Sequence, residues 1–562
     1  MQSRKLVLAI WLLLVAIRLT LGLWFIRANS LTGDETLYIT AGYIAVHDGD
    51  FSVNAGHPPL AKLMAGAAAS LVWDPPYTAH TPNWRGGVFQ PYAEFFYADR
   101  VFATLGERGE LVAMVARLPG MLLGIGLCLL CGLWAHRLWG PAAGVLALGV
   151  AVFDPNLLAH SAVVGTDAPL ACFLALAVYL AWEHARRPSR RLLCAIGIAF
   201  GLALATKFSA ATLGPVIAVL IGFACRTPAA GFWTWLRRLV ISGMVALVLA
   251  VATLVASYGV IGVGQWLTGM GTLAYHQSAG HPAFLLGEIS TSGWWYYFPV
   301  AVLAKTAALT LILILAGLGL WRFRRDRRWL DTVALLGSAA LFFAVNLFVS
   351  VNIGIRYLLP IYPFLIVAAS HLVHFVPARA RAAAVAGALG GLAATTVPYA
   401  PHQLAYFSHF VGGPDHGAAW LSDSNIDWGQ DLKGLADWMH ERNIPSIYLS
   451  YYGRFPPSYY GFQFWVLPMF VRPPVEPMDR VVGGPTPRYL AVSVTNLHGT
   501  YMGKPHLYDW LKPYPPVAKI GYSIFVYDTD AIPDAQRQIV ALFPPQPAEP
   551  PPATKPVTGG TP

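Results

Sequence analysis

Residues 31–63 run Leu31-Thr32-Gly33-Asp34-Glu35-Thr36-Leu37-Tyr38 through Gly56-His57-Pro58-Pro59-Leu60-Ala61-Lys62-Leu63. They follow directly on a first apolar segment long enough to cross a bilayer. An adjacent acid pair at such a boundary is costly unless it is used, so Asp34 and Glu35 are functional candidates. Their bland alternative is helix capping, with Thr32 or Asp34 capping a helix that starts near Glu35.

The composition around this stretch is that of an integral membrane protein. Of the 562 residues, 56% are hydrophobic and 12% charged, where a soluble domain carries about 25% charged residues. The net charge of +10 is not a nucleic-acid footprint, because the excess arginine sits in short loops between apolar runs. The five cysteines all lie in or beside apolar segments, which argues against a disulfide framework. Arg4 and Lys5 precede an apolar run to about residue 26 without a small-residue cleavage site, so the segment reads as an uncleaved first span.

Eleven segments approach the roughly 20 apolar residues of a span: 6–26, 111–135, 142–158, 168–183, 191–206, 209–225, 238–258, 297–320, 330–351, 356–376 and 382–400. Those at 142–158, 168–183 and 191–206 are short enough to be tilted or broken. One set of loops holds Arg137, Arg186, Arg187, Arg226, Arg237, Arg322, Arg324 and Arg379; the alternate stretches 159–167 and 259–296 hold no Lys or Arg. The positive-inside rule then puts the N-terminus in the cytoplasm and the acid pair, 259–296 and everything after 400 outside. Within the outer loop 27–110, Pro59–Trp73 is short and Ala-rich and suits an interfacial helix. Its end is aromatic, with Trp73, Tyr77, Trp84, Phe89, Tyr92, Phe95, Phe96 and Tyr97. After 400 the pattern changes: Leu432–Arg442 reads as a helix, and Ser446–Tyr452, Arg488–Val494 and Tyr522–Tyr527 as strands. The organisation expected is a membrane domain over 1–400, an extracytoplasmic α/β domain over 401–543 and a Pro-rich disordered tail over 544–562.

The remaining polar groups are weighed one by one. Pro59 suits the first position of a helix, whose N-terminus attracts phosphate, with His57 and Lys62 adding donors; a plain Pro turn is the alternative. Lys207, in the very short break after Ala205-Thr206, needs an anion. A lipid phosphate, the acid pair or snorkelling to the headgroups would each serve. Arg356, in Asn352-Ile-Gly-Ile-Arg356-Tyr357, is the Arg of the short outer loops of the second half and suits a phosphate fork, or snorkelling. Asp154, Asn156, His160 and Asp167 gather around one outer turn, as helix caps or as contacts to an acceptor or a metal. Trp294, Trp295 and Tyr296 form an aromatic belt or a sugar platform. Arg18 and Lys305 are intramembrane charges whose partners the sequence leaves open.

These motifs resemble the protein O-mannosyltransferase family and its bacterial relatives, including the lipid A aminoarabinose transferases, which are GT-C glycosyltransferases. The resemblance rests on Gly33-Asp34-Glu35, His57-Pro58-Pro59-Leu60, Gly165-Thr166-Asp167, Thr206-Lys207-Phe208-Ser209, Gly293-Trp294-Trp295-Tyr296-Tyr297 and Arg356-Tyr357-Leu358-Leu359-Pro360. It covers about residues 1–400. Leu421-Ser-Asp-Ser-Asn-Ile-Asp-Trp-Gly-Gln-Asp431 resembles a segment of uncharacterised bacterial members.

The resemblance implies a multi-pass α-helical membrane protein of GT-C type, with about 11 transmembrane helices and a small C-terminal extracytoplasmic α/β domain, in a bacterial inner membrane. It implies inverting transfer of a hexosyl or pentosyl group from a polyprenyl-phosphate donor to a hydroxyl of a glycan, lipid or protein. Asp34 and Glu35 match the catalytic acid and its neighbour, and Lys207 a basic residue near the lipid phosphate. Around them, Arg356, His57 and Lys62 are taken for the phosphate, and Tyr38, Asp167, His160, Trp294, Trp295 and Tyr296 for the substrates. No nucleic acid and no metal ligand set are expected; a divalent cation near Asp34 and Glu35 is the one cofactor left open. A transporter, or a non-catalytic binder of the lipid carrier, is the rival from another class.

Overall fold

The computed structural model describes residues 2–73, 93–105, 108–226, 231–324, 328–470, 486–503 and 506–542. The expected disordered tail 544–562, most of the aromatic run Tyr77–Tyr92, and Arg325 and Arg327 lie outside the described residues.

A bundle of apolar helices makes up the first 400 residues. Among the described residues, seven helices are long and apolar enough to span a membrane, or up to nine if each of two bent pairs is one span. The sequence led us to expect eleven, and two features account for the difference. Segments 191–206 and 209–225 form helices of only 15 and 11 residues, Arg190–Leu204 and Gly214–Ala224. The others break where the backbone turns extended. Asp154 (ψ 118°) precedes Pro155 and bends that pair by 60°. Thr306 and Ala307 (ψ 131° and 133°) bend Tyr297–Lys305 against Ala308–Phe323 by 119°.

The intramembrane charges sit at these breaks, because a helix that stops inside the protein leaves carbonyls without amide partners. The Arg18 guanidinium donates to Val152 O at 3.3 Å, Leu157 O at 2.7 Å and Ser161 Oγ at 2.9 Å. Lys305 Nζ donates to Leu404 O at 2.9 Å and to Asn425 O, and stands 4.4 Å over the Phe407 ring. Both charges thus hold backbone carbonyls.

The described residues between the first two long helices include three short helices, Glu35–Asp48, Leu60–Ala69 and Ala93–Ala103. The first two cross at backbone contact. A Cβ on Gly42 would sit 1.9 Å from Lys62 O, and one on Gly66 2.1 Å from Gly42 C. Only glycine fits there, so Gly42→Val is expected to force the helices apart at a cost of about 1–3 kcal/mol. Thermal unfolding of the purified variant checks this; an unchanged melting temperature would contradict the close crossing. Residues 259–296, expected as a loop, hold the helix Gly264–Ala279 and a two-stranded hairpin, Ala283–Leu285 with Glu288–Ser290. The helix before them kinks at Gly259 (φ 66°).

Among the described residues, the C-terminal part holds a five-stranded mixed sheet with the order 463–466, 446–450, 489–493, 524–528, 518–520. The first three strands run parallel and the last two pair antiparallel. The helix Leu432–Glu441 turns Leu432, Leu435, Ala436 and Met439 inward, and they share a core with Ile447, Leu449 and Val526. Arg454 fastens this domain to the helix Ala93–Ala103 through Asp99 at 3.0 Å.

Candidate functional site

Four chain segments bring their charges together at one end of the bundle. Asp34 occupies the N-cap position of the helix Glu35–Asp48, yet its side chain makes no capping bond. Instead Asp34 Oδ2 accepts from Arg356 Nη1 at 3.2 Å. Arg356 Nη1 lies 4.0 Å from Asp167 Oδ2, and Asp167 Oδ1 is 2.5 Å from Lys207 Nζ. Two carboxylates and two cations therefore alternate in one row. The Asp34 side chain keeps a quarter of its surface exposed, while those of Arg356 and Asp167 retain 11% and 8%. Asp34 is thus the member of the row most open to an incoming group. The face of Arg356 lies 4.3 Å from the Trp428 ring and Lys207 Nζ lies 4.2 Å from the Tyr357 ring. Such stacking holds cations in place without consuming their donors. Arg356 Nε is buried without a partner, so a donor remains for a further anion.

Burial raises the Asp34 carboxyl above the ordinary carboxylate range; the Arg356 charge works against this and that of Asp423 adds to it. A base must be deprotonated to work, so activity that depends on Asp34 fades on acidification at a higher pH than an unperturbed Asp, about 3.9, would give. Removing the Arg356 charge takes away the main opposing influence, so Arg356→Gln should move the acid limb of kcat/KM upward. Coincident limbs in the two proteins would contradict this. His57 is pushed down to about 3, chiefly by burial and then by the Lys207 and Lys62 charges. It is neutral at pH 7 and offers an N–H, not a charge. Its ring packs 5.6 Å from that of the buried Tyr38, and its Nδ1 is buried without a partner.

Glu35 stands apart from its neighbour. Its carboxylate is fully buried and accepts from Arg117 Nε at 2.8 Å and Nη2 at 2.6 Å, from Val164 N at 2.8 Å and from Thr32 N at 2.7 Å. Arg117 also donates to Ile26 O, Asn29 O and Ser30 O. The pair ties the end of the first helix to the next long one. With both Glu35 oxygens committed in this way, a cation shared between Asp34 and Glu35 does not fit. No group of three or more His, Cys, Asp or Glu gathers at one point among the described residues.

The other candidates occupy supporting places. Lys62 Nζ donates to Asn54 O at 2.7 Å and His57 O at 2.8 Å and so shapes the loop under His57. Burial lowers it to about 7. His160 is buried on the short helix Pro155–Ser161, its ring 6.3 Å from that of Trp428. The Trp294 amide donates to Asn352 Oδ1 at 2.7 Å, on the loop that leads to Arg356. Trp295 and Tyr296 stand 70% and 36% exposed.

The segment 422–431 reaches into this row from the sheet domain, and reading the sequence did not place it there. Gly33 N donates to Trp428 O at 2.9 Å and Ser30 N to Gln430 O at 2.8 Å, beside Asp34. Asn425 Oδ1 accepts from Ile355 N at 3.0 Å, and Ser424 Oγ donates to Ile353 O at 2.5 Å, beside Arg356. The signal was present as the density of Asp, Asn, Trp and Gln in 423–431, but nothing local says which loop such a segment docks against.

Residues 95–258 match the family model described as dolichyl-phosphate-mannose-protein mannosyltransferase. Over that stretch the chain is similar to this family. It is the family the motifs pointed to, and the matched stretch carries Asp167 and Lys207. No curated protein matches the chain. Among solved structures, the chain is similar to ArnT from Cupriavidus metallidurans bound to undecaprenyl phosphate, at 16% identity over 95% of this chain and 99% of that one, TM-score 0.47. It is also similar to the Archaeoglobus fulgidus oligosaccharyltransferase in complex with Zn and sulfate, at 12% identity over 88% of this chain and 68% of that one, TM-score 0.43.

Proposed function

We propose that the protein is an inverting glycosyltransferase that moves a hexose or pentose from a polyprenyl-phosphate donor to an acceptor hydroxyl. One observation carries the reading: a partly exposed carboxylate, Asp34, stands 3.2 Å from Arg356, in a row that continues through Asp167 to Lys207. The family description, which names a dolichyl-phosphate sugar donor, supports the donor class.

In this reading the donor's tail lies in the bilayer and its phosphate meets the Lys207 and Arg356 cations. The acceptor hydroxyl gives its proton to Asp34. Its oxygen bonds to the anomeric carbon from the face opposite the phosphate, and the bond from that carbon to the phosphate oxygen breaks with its electron pair. The glycosylated acceptor and polyprenyl phosphate leave, and Asp34 returns its proton to water. Charge grows on the phosphate as the bond breaks, so the two cations stabilise the transition state more than the bound donor. Asp167 keeps both cations in register, and Glu35 with Arg117 holds the backbone that presents Asp34. We place the chain in a bacterial inner membrane, as the resemblance of its motifs implies, and orient it with its N-terminus cytoplasmic and the sheet domain outside on the arginine distribution of its loops.

The test is a panel of polyprenyl-phosphate sugars given to the full-length protein in vesicles, with release of polyprenyl phosphate as readout. Sugar-dependent release that Asp34→Asn removes is the expected result. Release from no member of the panel would overturn the reading.

A further inference from the structure

Three aromatic rings of the sheet domain meet beside the site. Tyr452 and Tyr501 stack with centroids 5.6 Å apart and planes 9° apart. Phe470 packs 4.9 Å from Tyr501 and 6.4 Å from Tyr452. His281, from the loop before the hairpin, meets Tyr501 edge-on at 5.3 Å. All four side chains are half-buried, so this is an open cluster and not part of a closed core. A cavity of about 270 Å³ lies against it, lined in part by Pro468, Met469, Phe470, Tyr501 and Leu507.

Asp423 stands behind the rings. Its Oδ2 accepts from the hydroxyls of Tyr452, at 3.3 Å, and Tyr501, and its Oδ1 from the Ser424 amide. The residue is buried and held at φ 57°, in the left-handed region. Aspartate tolerates that conformation better than most residues, but it still has to be imposed by the surroundings. Here Asp423 N donates to Thr495 Oγ1, and the following residues are pinned to the loop of Arg356 by Ser424 and Asn425. The wall of the cavity is thus linked through the Tyr501 hydroxyl to Asp423, whose next two residues bond the backbone of the loop that carries Arg356.

We propose that Tyr452, Tyr501, Phe470 and Asp423 form the acceptor subsite, and that the acceptor is a carbohydrate whose pyranose ring packs on these rings while its hydroxyls reach Asp423. This rests on the glycosyl-transfer reading and names its second substrate. The chemistry favours a sugar over the other acceptor classes. The axial C–H faces of a pyranose pack on aromatic faces; Asp423 Oδ2 already accepts from two phenols, while Oδ1, which accepts from the Ser424 amide, keeps a lone pair for a sugar hydroxyl. A lipid acceptor would ask for an apolar groove without a buried carboxylate, and an extended peptide for a free strand edge.

The experiment is saturation-transfer NMR on the full-length protein in a sugar-free detergent, without donor. The probes are methyl α-mannopyranoside, methyl β-glucopyranoside, methyl N-acetyl-β-glucosaminide, cellobiose and a Ser/Thr-rich peptide. Saturation of the ring protons of at least one saccharide is expected, reduced at least fivefold in Tyr501→Ala and Asp423→Asn. Tyr501→Phe, which keeps the ring and the fold, should fall between. No saccharide signal, a signal unchanged in all three variants, or saturation of the peptide alone would overturn the proposal. A saccharide signal displaced by saturating undecaprenyl-phosphate mannose in the Asp34→Asn background would also overturn it, because the ring would then occupy the donor's sugar position. Because the binding arms contain no donor, a negative result here leaves donor cleavage to be judged by its own assay, and the reverse also holds. Where a saccharide is glycosylated, Tyr501→Phe should raise its KM more than it lowers kcat; a purely structural role would move both with the melting temperature.

Discussion

Asp34→Asn is expected to lower sugar transfer by a factor of about 10²–10⁴, the usual worth of a positioned general base. The substitution is nearly isosteric and keeps an oxygen facing Arg356, so the row from Asp34 to Lys207 should remain assembled. Asn cannot take a proton from the acceptor hydroxyl, so the loss should fall on kcat. Donor affinity should stay within a few-fold, since the phosphate is gripped by Lys207 and Arg356 and not by Asp34. Transfer kinetics together with direct binding of the polyprenyl-phosphate donor check both halves. Transfer at the wild-type rate would remove Asp34 from the chemistry. Loss of donor binding with the protein still folded would make it part of the phosphate site instead.

The neighbouring residue should behave in the opposite way. Arg117→Met leaves the Glu35 carboxylate buried without its principal partner, since the hydrogen bonds at 2.6 Å and 2.8 Å both come from that guanidinium. Breaking one side of a buried pair costs about 3–5 kcal/mol. Three backbone carbonyls near residues 26–30 lose a donor as well. The expected phenotype is poor accumulation and a markedly lower melting temperature, with activity lost in proportion. Glu35→Gln/Arg117→Met should recover part of the stability, because it removes the unpaired charge. A variant of Arg117 with wild-type melting behaviour and no transfer would instead give the Glu35–Arg117 pair a direct part in the reaction.

Much of this was legible in the sequence as position along the chain and side of the membrane. Asp34, Lys207 and Arg356 each stand where an apolar run ends, and a charge at such a place is visible without a fold. Which charge meets which was not legible. Lys207 lies on Asp167 and not on the acid pair, because the break after the helix Arg190–Leu204 faces the start of the helix Asp167–Arg186. Two acids adjacent in sequence point different ways: the helix begins between them, so Asp34 stays on the open side and Glu35 turns into the bundle. The sequence shows eleven apolar stretches but not that two of them, 191–206 and 209–225, fold as short helices and that two more are bent at extended breaks. In the sheet domain the three central strands announce themselves by their apolar residues. The edge strands, 463–466 and 518–520, are only four and three residues long and carry too little pattern to see. The docking of 422–431 onto the loops of Asp34 and Arg356 is a long-range event: its backbone carbonyls and the Ser424 and Asn425 side chains bond backbone groups of those loops, which the sequence does not distinguish from any others.

The most direct measurement is the affinity of the full-length protein for undecaprenyl phosphate, compared among wild type, Lys207→Ala and Arg356→Ala. A lost charge-assisted hydrogen bond is worth about 1.5–3 kcal/mol, so each substitution should raise Kd about tenfold or more. Equal Kd values in the three folded proteins would contradict a lipid-borne phosphate held beside Asp34.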